Sequence, residues 1–157
     1  MRIFAHPDEL PGAAGQRLGV SEFHPIEQAE IDAFAEVTGD RQWIHTDPSR
    51  ASTGPFGRTI AHGMLTLSLG IPLLDEVFRV DGAGLVLNKG FDRVRFAAPV
   101  PAGARVRLVV DLLEVKRHAR GFTEVILAVA LEIEEQTRPA YTAHTRLLYQ
   151  EALPCAS

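Results

Sequence analysis

Between residues 38 and 48 the chain reads Thr-Gly-Asp-Arg-Gln-Trp-Ile-His-Thr-Asp-Pro. A carboxylate and an imidazole held by one rigid turn can share a water, one group taking its proton and the other supplying one. Asp40 and His45 are that pair here. Gly39 lets the backbone pass close to a ligand, and Trp43-Ile44 offers an apolar wall. Taken singly, each has a commoner use: a loop acid is solvated, and a histidine beside an isoleucine packs.

His62-Gly63-Met64 is the second place where chemistry is expected. It lies where an apolar helix begins, so backbone N–H groups there are unpaired and can face an oxyanion. Gly63 has no side chain to block a ligand, although close helix packing would also explain a glycine. Ser68 follows on the same helix. Thr66-Leu67-Ser68-Leu69-Gly70 lacks the first glycine of a nucleophile elbow and sits inside a helix, so Ser68 is expected to hydrogen-bond rather than attack. The six histidines, His6, His24, His45, His62, His118 and His144, form no zinc motif, and no glycine-rich phosphate loop is present. No metal and no cofactor is expected. Arg93 and Arg95 fall on one face of an expected strand and read as a solvated edge.

These residues need elements to hold them. Residues 25–37 carry Ile26, Ala29, Ile31, Phe34, Ala35 and Val37 at helical spacings, with Pro25 at the start and Gly39 at the end. The Asp40–His45 stretch therefore follows directly on a short amphipathic helix. Residues 46–59 are turn formers with one helical turn at 48–51. Residues 61–79 are apolar on almost every side, which predicts a helix buried all round, kinked or interrupted at Pro72. From residue 84 the period changes to two. Runs at 91–98, 104–116, 121–133 and 140–149, separated by Gly90, 99–103, Arg120-Gly121 and Arg138-Pro139, predict a meander of three or four antiparallel strands. A lone apolar helix needs a sheet curled around it. The expectation is one α+β domain over residues 1–157, with 1–20 an extended lead-in and 150–157 a frayed tail.

The bulk properties narrow the partners. The 157 residues suffice for a real core. A net charge of −4 argues against nucleic acid or an anionic membrane. The longest apolar segment, around 64–74, is too short and broken to span a bilayer. The first fifteen residues lack a basic start followed by an apolar stretch, so no secretory signal is expected. The single cysteine, Cys155, permits no internal disulfide and fits a cytoplasmic protein.

Residues 34–51, FAEVTGDRQWIHTDPSRA, followed by GPFGRTIAHGMLTLS at 54–68, resemble the MaoC-like family of R-specific enoyl-thioester hydratases and dehydratases. Phe34, Val37, Thr38, Gly39, Asp40, Ile44, His45 and Ala51 fill the hydratase signature in register, while Gln42 replaces its asparagine and Trp43 its proline. The form TGD-x-QWIH is similar to single-domain members that include mycobacterial 3-hydroxyacyl-thioester dehydratases and nodulation-protein-N-like proteins. Asn88 and the stretch from Val94 to Pro101 extend the likeness. The resemblance implies a hot-dog fold, a long central helix wrapped by an antiparallel sheet, as a homodimer. It implies reversible addition of water to a trans-2-enoyl thioester of coenzyme A or acyl-carrier protein, with Asp40 and His45 as the catalytic pair. Gly63 would offer its N–H to the thioester oxygen, and Ser68 would help orient the catalytic loop. Hot-dog proteins also include acyl-CoA thioesterases and non-catalytic acyl-thioester-binding proteins, which stand as the alternative. Trp43 and Phe56 are candidates for narrowing the acyl tunnel.

Overall fold

The computed structural model describes residues 1–152. It begins with β1 (Arg2–Phe4), a 3-10 helix over Pro7–Ala13, β2 (Arg17–Val20) and β3 (His24–Pro25). Three helices follow: α1 (Gln28–Thr38), the short α2 (Trp43–Thr46) and α3 (Pro48–Ser52). The long helix α4 (Gly63–Val77) leads into β4 (Phe78–Val80) and then β5 (Ala83–Phe96), β6 (Arg105–His118), β7 (Phe122–Ile133) and β8 (Tyr141–Glu151). Cys155 lies outside the described residues.

The alternating runs pair into a six-stranded sheet ordered β2-β6-β7-β8-β5, with β3 also paired to β6. Leu108, Val110, Leu112, Val125, Leu127, Val129 and Leu131 turn one face inward, and Leu65, Leu73, Leu74 and Val77 of α4 pack in the same core. Burial of this face supplies the main driving force for the fold. Gly70 lets helix and sheet approach closely, since a Cβ there would stand 2.3 Å from the Tyr141 hydroxyl. A long helix wrapped by an antiparallel sheet is the hot-dog arrangement that the resemblance implied. No helix among the described residues is long and apolar enough to cross a membrane.

Several expectations need correction. Residues 1–20 are not a lead-in: β1 pairs parallel with β4, and Phe4, Leu10, Ala13 and Leu18 are buried. The sequence hides this because the buried Phe4, Leu10, Ala13 and Leu18 are separated by turn formers and follow no helical or strand period. Pro25 belongs to β3, and α1 starts later, where Glu27 and Glu30 exchange side-chain bonds with each other's backbone N–H in a capping box. Helix α4 continues through Pro72 to Val77. It is not buried all round, for Met64, Ser68, Ile71 and Asp75 are exposed. The strands are not a simple meander, because β5 pairs with β8 on the far side rather than with β6. Gly90 lies inside β5 at a register shift instead of ending a strand, and a second shift between Asp92 and Arg95 sets Arg93 at φ 54°, so Arg93 and Arg95 do not share a regular strand face. Finally, β8 pairs as far as Glu151, so residues 150–151 belong to the sheet rather than to a tail.

Candidate active site

The site is built where α1 ends. Gly39 takes the left-handed conformation at φ 78° and donates its N–H to the Ala35 carbonyl, which stops the helix and turns the chain. Asp40 follows in the exposed turn between α1 and α2. Its N–H points to Thr38 Oγ1 at 3.4 Å, and its carbonyl accepts from His62 Nε2 at 2.9 Å. Its carboxylate has no hydrogen-bond partner among the described residues. The neighbouring Arg41 is engaged elsewhere, pairing with Glu36, whose carboxyl the guanidinium holds below the usual carboxylate range.

His45 is only 7% exposed. Its Nδ1 lies 2.7 Å from the Ile60 carbonyl. A carbonyl only accepts, so Nδ1 carries the proton and Nε2 keeps a lone pair. The residues around it form a second ring of support. Gln28 Nε2 donates to the His45 carbonyl at 2.7 Å, and Thr59 Oγ1 donates to Gln28 Oε1 at 2.5 Å. Ile60 N–H donates back to the Ile44 carbonyl at 3.0 Å. Helix α1 and the 59–61 segment thus hold the backbone of α2, and the Ile60 carbonyl orients the imidazole itself.

Two cavities meet at this point. One, of about 320 Å³, is mostly apolar and is bounded by Ile60, Thr66, Phe96, Pro99 and Ala140. The other, of about 330 Å³, is bounded by Phe34, Thr38, Asp40, Met64 and Ser68. His45 and Gly63 line both. Gly63 is the first residue of α4, and its N–H makes no backbone hydrogen bond. A side chain there would press on the Phe96 ring, which lies 3.1–3.2 Å from the Cβ position. The Ser68 hydroxyl borders the second cavity but donates to the Met64 carbonyl at 2.8 Å. A further cavity of about 360 Å³ lies on the outer face of the sheet by Ala128, Ala130 and Thr142, away from these groups.

Asp40, His45, Gly63 and Ser68 are therefore brought to one place. Trp43 and Phe56 are not: neither lines the two cavities. Trp43 instead carries the Arg50 guanidinium over its ring at 4.5 Å and packs where a Cβ on Gly54 would be, 3.0 Å away. Three residues of this region escaped sequence reasoning: Gln28, Thr59 and His62. Gln28 reads as an ordinary solvent-facing helix residue, and Thr59 as one more turn former. His62 was in view only as the neighbour of Gly63.

Asp40, His45 and His62 each bring a donor atom within 4.8 Å of the others, a spacing that a metal ion can bridge. The His45 and His62 rings lie nearly parallel, however, with centroids 3.8 Å apart at 24°. One nitrogen of each ring is moreover already engaged, His45 Nδ1 with the Ile60 carbonyl at 2.7 Å and His62 Nε2 with that of Asp40 at 2.9 Å. His6, Asp8 and Glu151 form another such group, but Asp8 is already paired with Arg117 at 2.6 Å. The arrangement at His45 suits proton transfer.

Comparison with known proteins adds to this geometry. The family model described as MaoC like domain matches residues 10–134. A 3-hydroxyacyl-thioester dehydratase Z of Mycobacterium tuberculosis is 42% identical over 149 residues, covering 95% of this chain and 99% of that protein. Nodulation protein N of Rhizobium leguminosarum bv. viciae is 42% identical over 144 residues, covering 87% of this chain and 86% of its own. Among solved structures, the (R)-hydratase from A. caviae matches with a TM-score of 0.68 at 26% identity, over 85% of this chain and 94% of that one.

Proposed function

This chain belongs to the MaoC-like domain family, and from that premise we propose that it is a hydro-lyase, an R-specific enoyl-thioester hydratase that runs in reverse as a 3-hydroxyacyl-thioester dehydratase. One observation carries the reading to particular residues. An unpartnered carboxylate, Asp40, and an imidazole with Nδ1–H pinned on a carbonyl, His45, meet beside the unpaired N–H of Gly63.

In the hydration direction a water sits between Asp40 and His45. His45 Nε2 accepts a proton as the water oxygen bonds to C3 of the trans-2-enoyl thioester. The C2–C3 π electrons move toward the thioester carbonyl, and the enolate oxygen is stabilised by the Gly63 N–H. A fixed donor of this kind contributes about 3–4 kcal/mol to the transition state. The Asp40–His45 pair then returns a proton to C2, so both groups end as they began and one water has been added. Ser68 serves as a polar contact at the rim of the Asp40 cavity. The product is the R-3-hydroxyacyl thioester, in keeping with the names of the dehydratase and (R)-hydratase relatives.

The acyl group is delivered as a thioester of coenzyme A or of acyl-carrier protein. The protein acts as a homodimer in the cytoplasm. Support for the dimer is the unpaired edge of β5, where Leu85, Val86, Leu87 and Phe96 are exposed together with Met64 and Ile71 of α4. A long apolar edge strand is a template for pairing with another chain. Sedimentation at twice the mass of the chain is the expected result. Residues Gln42 and Trp43 depart from the signature, and Asp40 and His45 line one cavity with them in place.

The deciding experiment mixes the protein with crotonyl-CoA and follows the enoyl absorbance beside a free-thiol assay. Loss of the enoyl signal without thiol release is expected. Thiol release would replace the hydratase by a thioesterase, and binding with neither signal would leave a non-catalytic acyl-thioester-binding protein.

A further inference from the structure

We propose that His62 is a positioning residue that fixes Asp40 relative to His45, a role that rests on the hydratase reading above. Asp40 needs such a residue. Its carboxylate has no partner among the described residues, so its location is set by its own backbone. The N–H contact to Thr38 Oγ1 is long and local. The contact that ties the turn to the rest of the molecule is the bond from His62 Nε2 to the Asp40 carbonyl, 2.9 Å, between residues 22 apart in sequence.

The same ring supports the other catalytic group. His62 is 3% exposed and stacks on His45. Phe34 of α1 lies against it at 5.1 Å and 50°. One imidazole therefore touches the Asp40 backbone through its edge and the His45 ring through its face. Being the residue just before Gly63, it also ties both groups to the start of α4.

A residue kept only for packing would not carry the cost that His62 carries. Because Nε2–H is given to a carbonyl, Nδ1 is left as the lone-pair nitrogen, and it is buried without a partner among the described residues. An unpaired buried polar atom is destabilising. Phenylalanine would fill the same slot without it, but would release the Asp40 carbonyl. Glutamine could reach that carbonyl but would not stack as well. The two substitutions thus separate the two roles.

The test compares wild type, His62→Phe and His62→Gln by melting temperature, by kcat and KM on crotonyl-CoA, and by NMR order parameters of the amides at 39–42. His62→Phe is expected to melt no lower than wild type yet to lose about 10²-fold in kcat, the scale of a misplaced catalytic group. Its KM should stay within about twofold, since ground-state binding is not the target. His62→Gln should melt lower but recover roughly tenfold of the lost kcat, with ordered amides at 39–42 where His62→Phe shows disorder. Equal kcat in wild type and His62→Phe, with unchanged order at 39–42, overturns the proposal. So does a kcat that follows melting temperature across the three proteins, which is the mark of packing alone. If wild type hydrates no enoyl thioester, the functional reading fails, and the order parameters still decide whether His62 holds the Asp40 turn.

Discussion

Two carboxylates in this molecule stand in opposite circumstances. Glu124 on β7 is 2% exposed and is surrounded by donors from other elements: Lys89 at 3.1 Å, His118 at 2.8 Å and Arg146 at 3.2 Å. Burial on its own would push its carboxyl up, but the bonds from Lys89, His118 and Arg146 outweigh that and hold it at about 2. Asp40 is exposed at a cavity and has no side-chain partner among the described residues. A buried carboxylate bonded on both oxygens joins strands, here β5, β6, β7 and β8, and is shielded from any substrate. A carboxylate held only through its backbone keeps its oxygens free for water. The difference teaches that the chemistry of an acid in this fold follows from how its partners are distributed, and that the site's order must come from the backbone and from His45 and His62.

The sharpest break of this comparison is at the site itself. Asp40→Asn and His45→Asn should each lower kcat by ~10²–10⁴-fold while the melting temperature stays near that of wild type. Steady-state hydration of crotonyl-CoA beside a thermal melt checks both halves, and near-parental turnover in either variant removes that residue from the mechanism.

Glu124→Gln should do the reverse. Glutamine removes the charge, keeps one acceptor oxygen and sets an NH2 against the donors on the other, and a loss of roughly 2–4 kcal/mol in stability is expected. Denaturant titration measures it, and kcat well below the melting transition should match wild type. A large loss of turnover in the folded variant would show that the ion cluster reaches the site.

The same cluster gives a pH signature. Glu124 is depressed from 4.5 to about 2 in the folded protein. A depressed acid contributes stability that is present above its unfolded value and is lost as pH falls through the folded one. Its contribution should therefore fade between about pH 4.5 and pH 2, by around 3 kcal/mol in total. Melting temperatures of wild type and Glu124→Gln should converge across that window and run parallel above it.

Smaller effects test the frame of the site. Gly39→Ala puts a side chain at φ 78° and should destabilise by about 1–2 kcal/mol, with any fall in kcat reflecting a displaced Asp40 turn. Trp43→Phe should change the ratio of rates on short and long enoyl-CoAs least of all, because the ring packs on Gly54 and Arg50 and not on either cavity. A shift in that ratio beyond about threefold, or 0.7 kcal/mol, would return Trp43 to the substrate tunnel.

Much of this was readable along the chain. The run from Ile26 to Val37 with Gly39 after it announces a helix with a sharp end, because helical spacing and a left-handed cap are local properties. Period-two runs announce β6, β7 and β8 for the same reason. The signature residues around Asp40 and His45 are contiguous, so the resemblance to the family could be matched in register and the pair named from it, which spacing alone did not do. Residues 1–20 misled because Phe4, Leu10, Ala13 and Leu18 show no period, and only their common burial joins them. The bulges of β5 were hidden because a register shift is visible only against the partner strand.

What the sequence determined by itself, then, was the α+β class and the helix that delivers Asp40, and its likeness to the family nominated Asp40 and His45 as the acid and the imidazole. Tertiary structure decided which histidine nitrogen is free, that Trp43 leaves the cavity, and that His62 binds both halves of the site. The reason is distance along the chain. A turn and a cap are set by neighbours within a few residues, whereas the Ile60 carbonyl that selects the His45 tautomer and the His62 ring that holds Asp40 come from residues 15 and 22 positions away. No local pattern records contacts of that kind; they exist only once α4 has docked on the sheet.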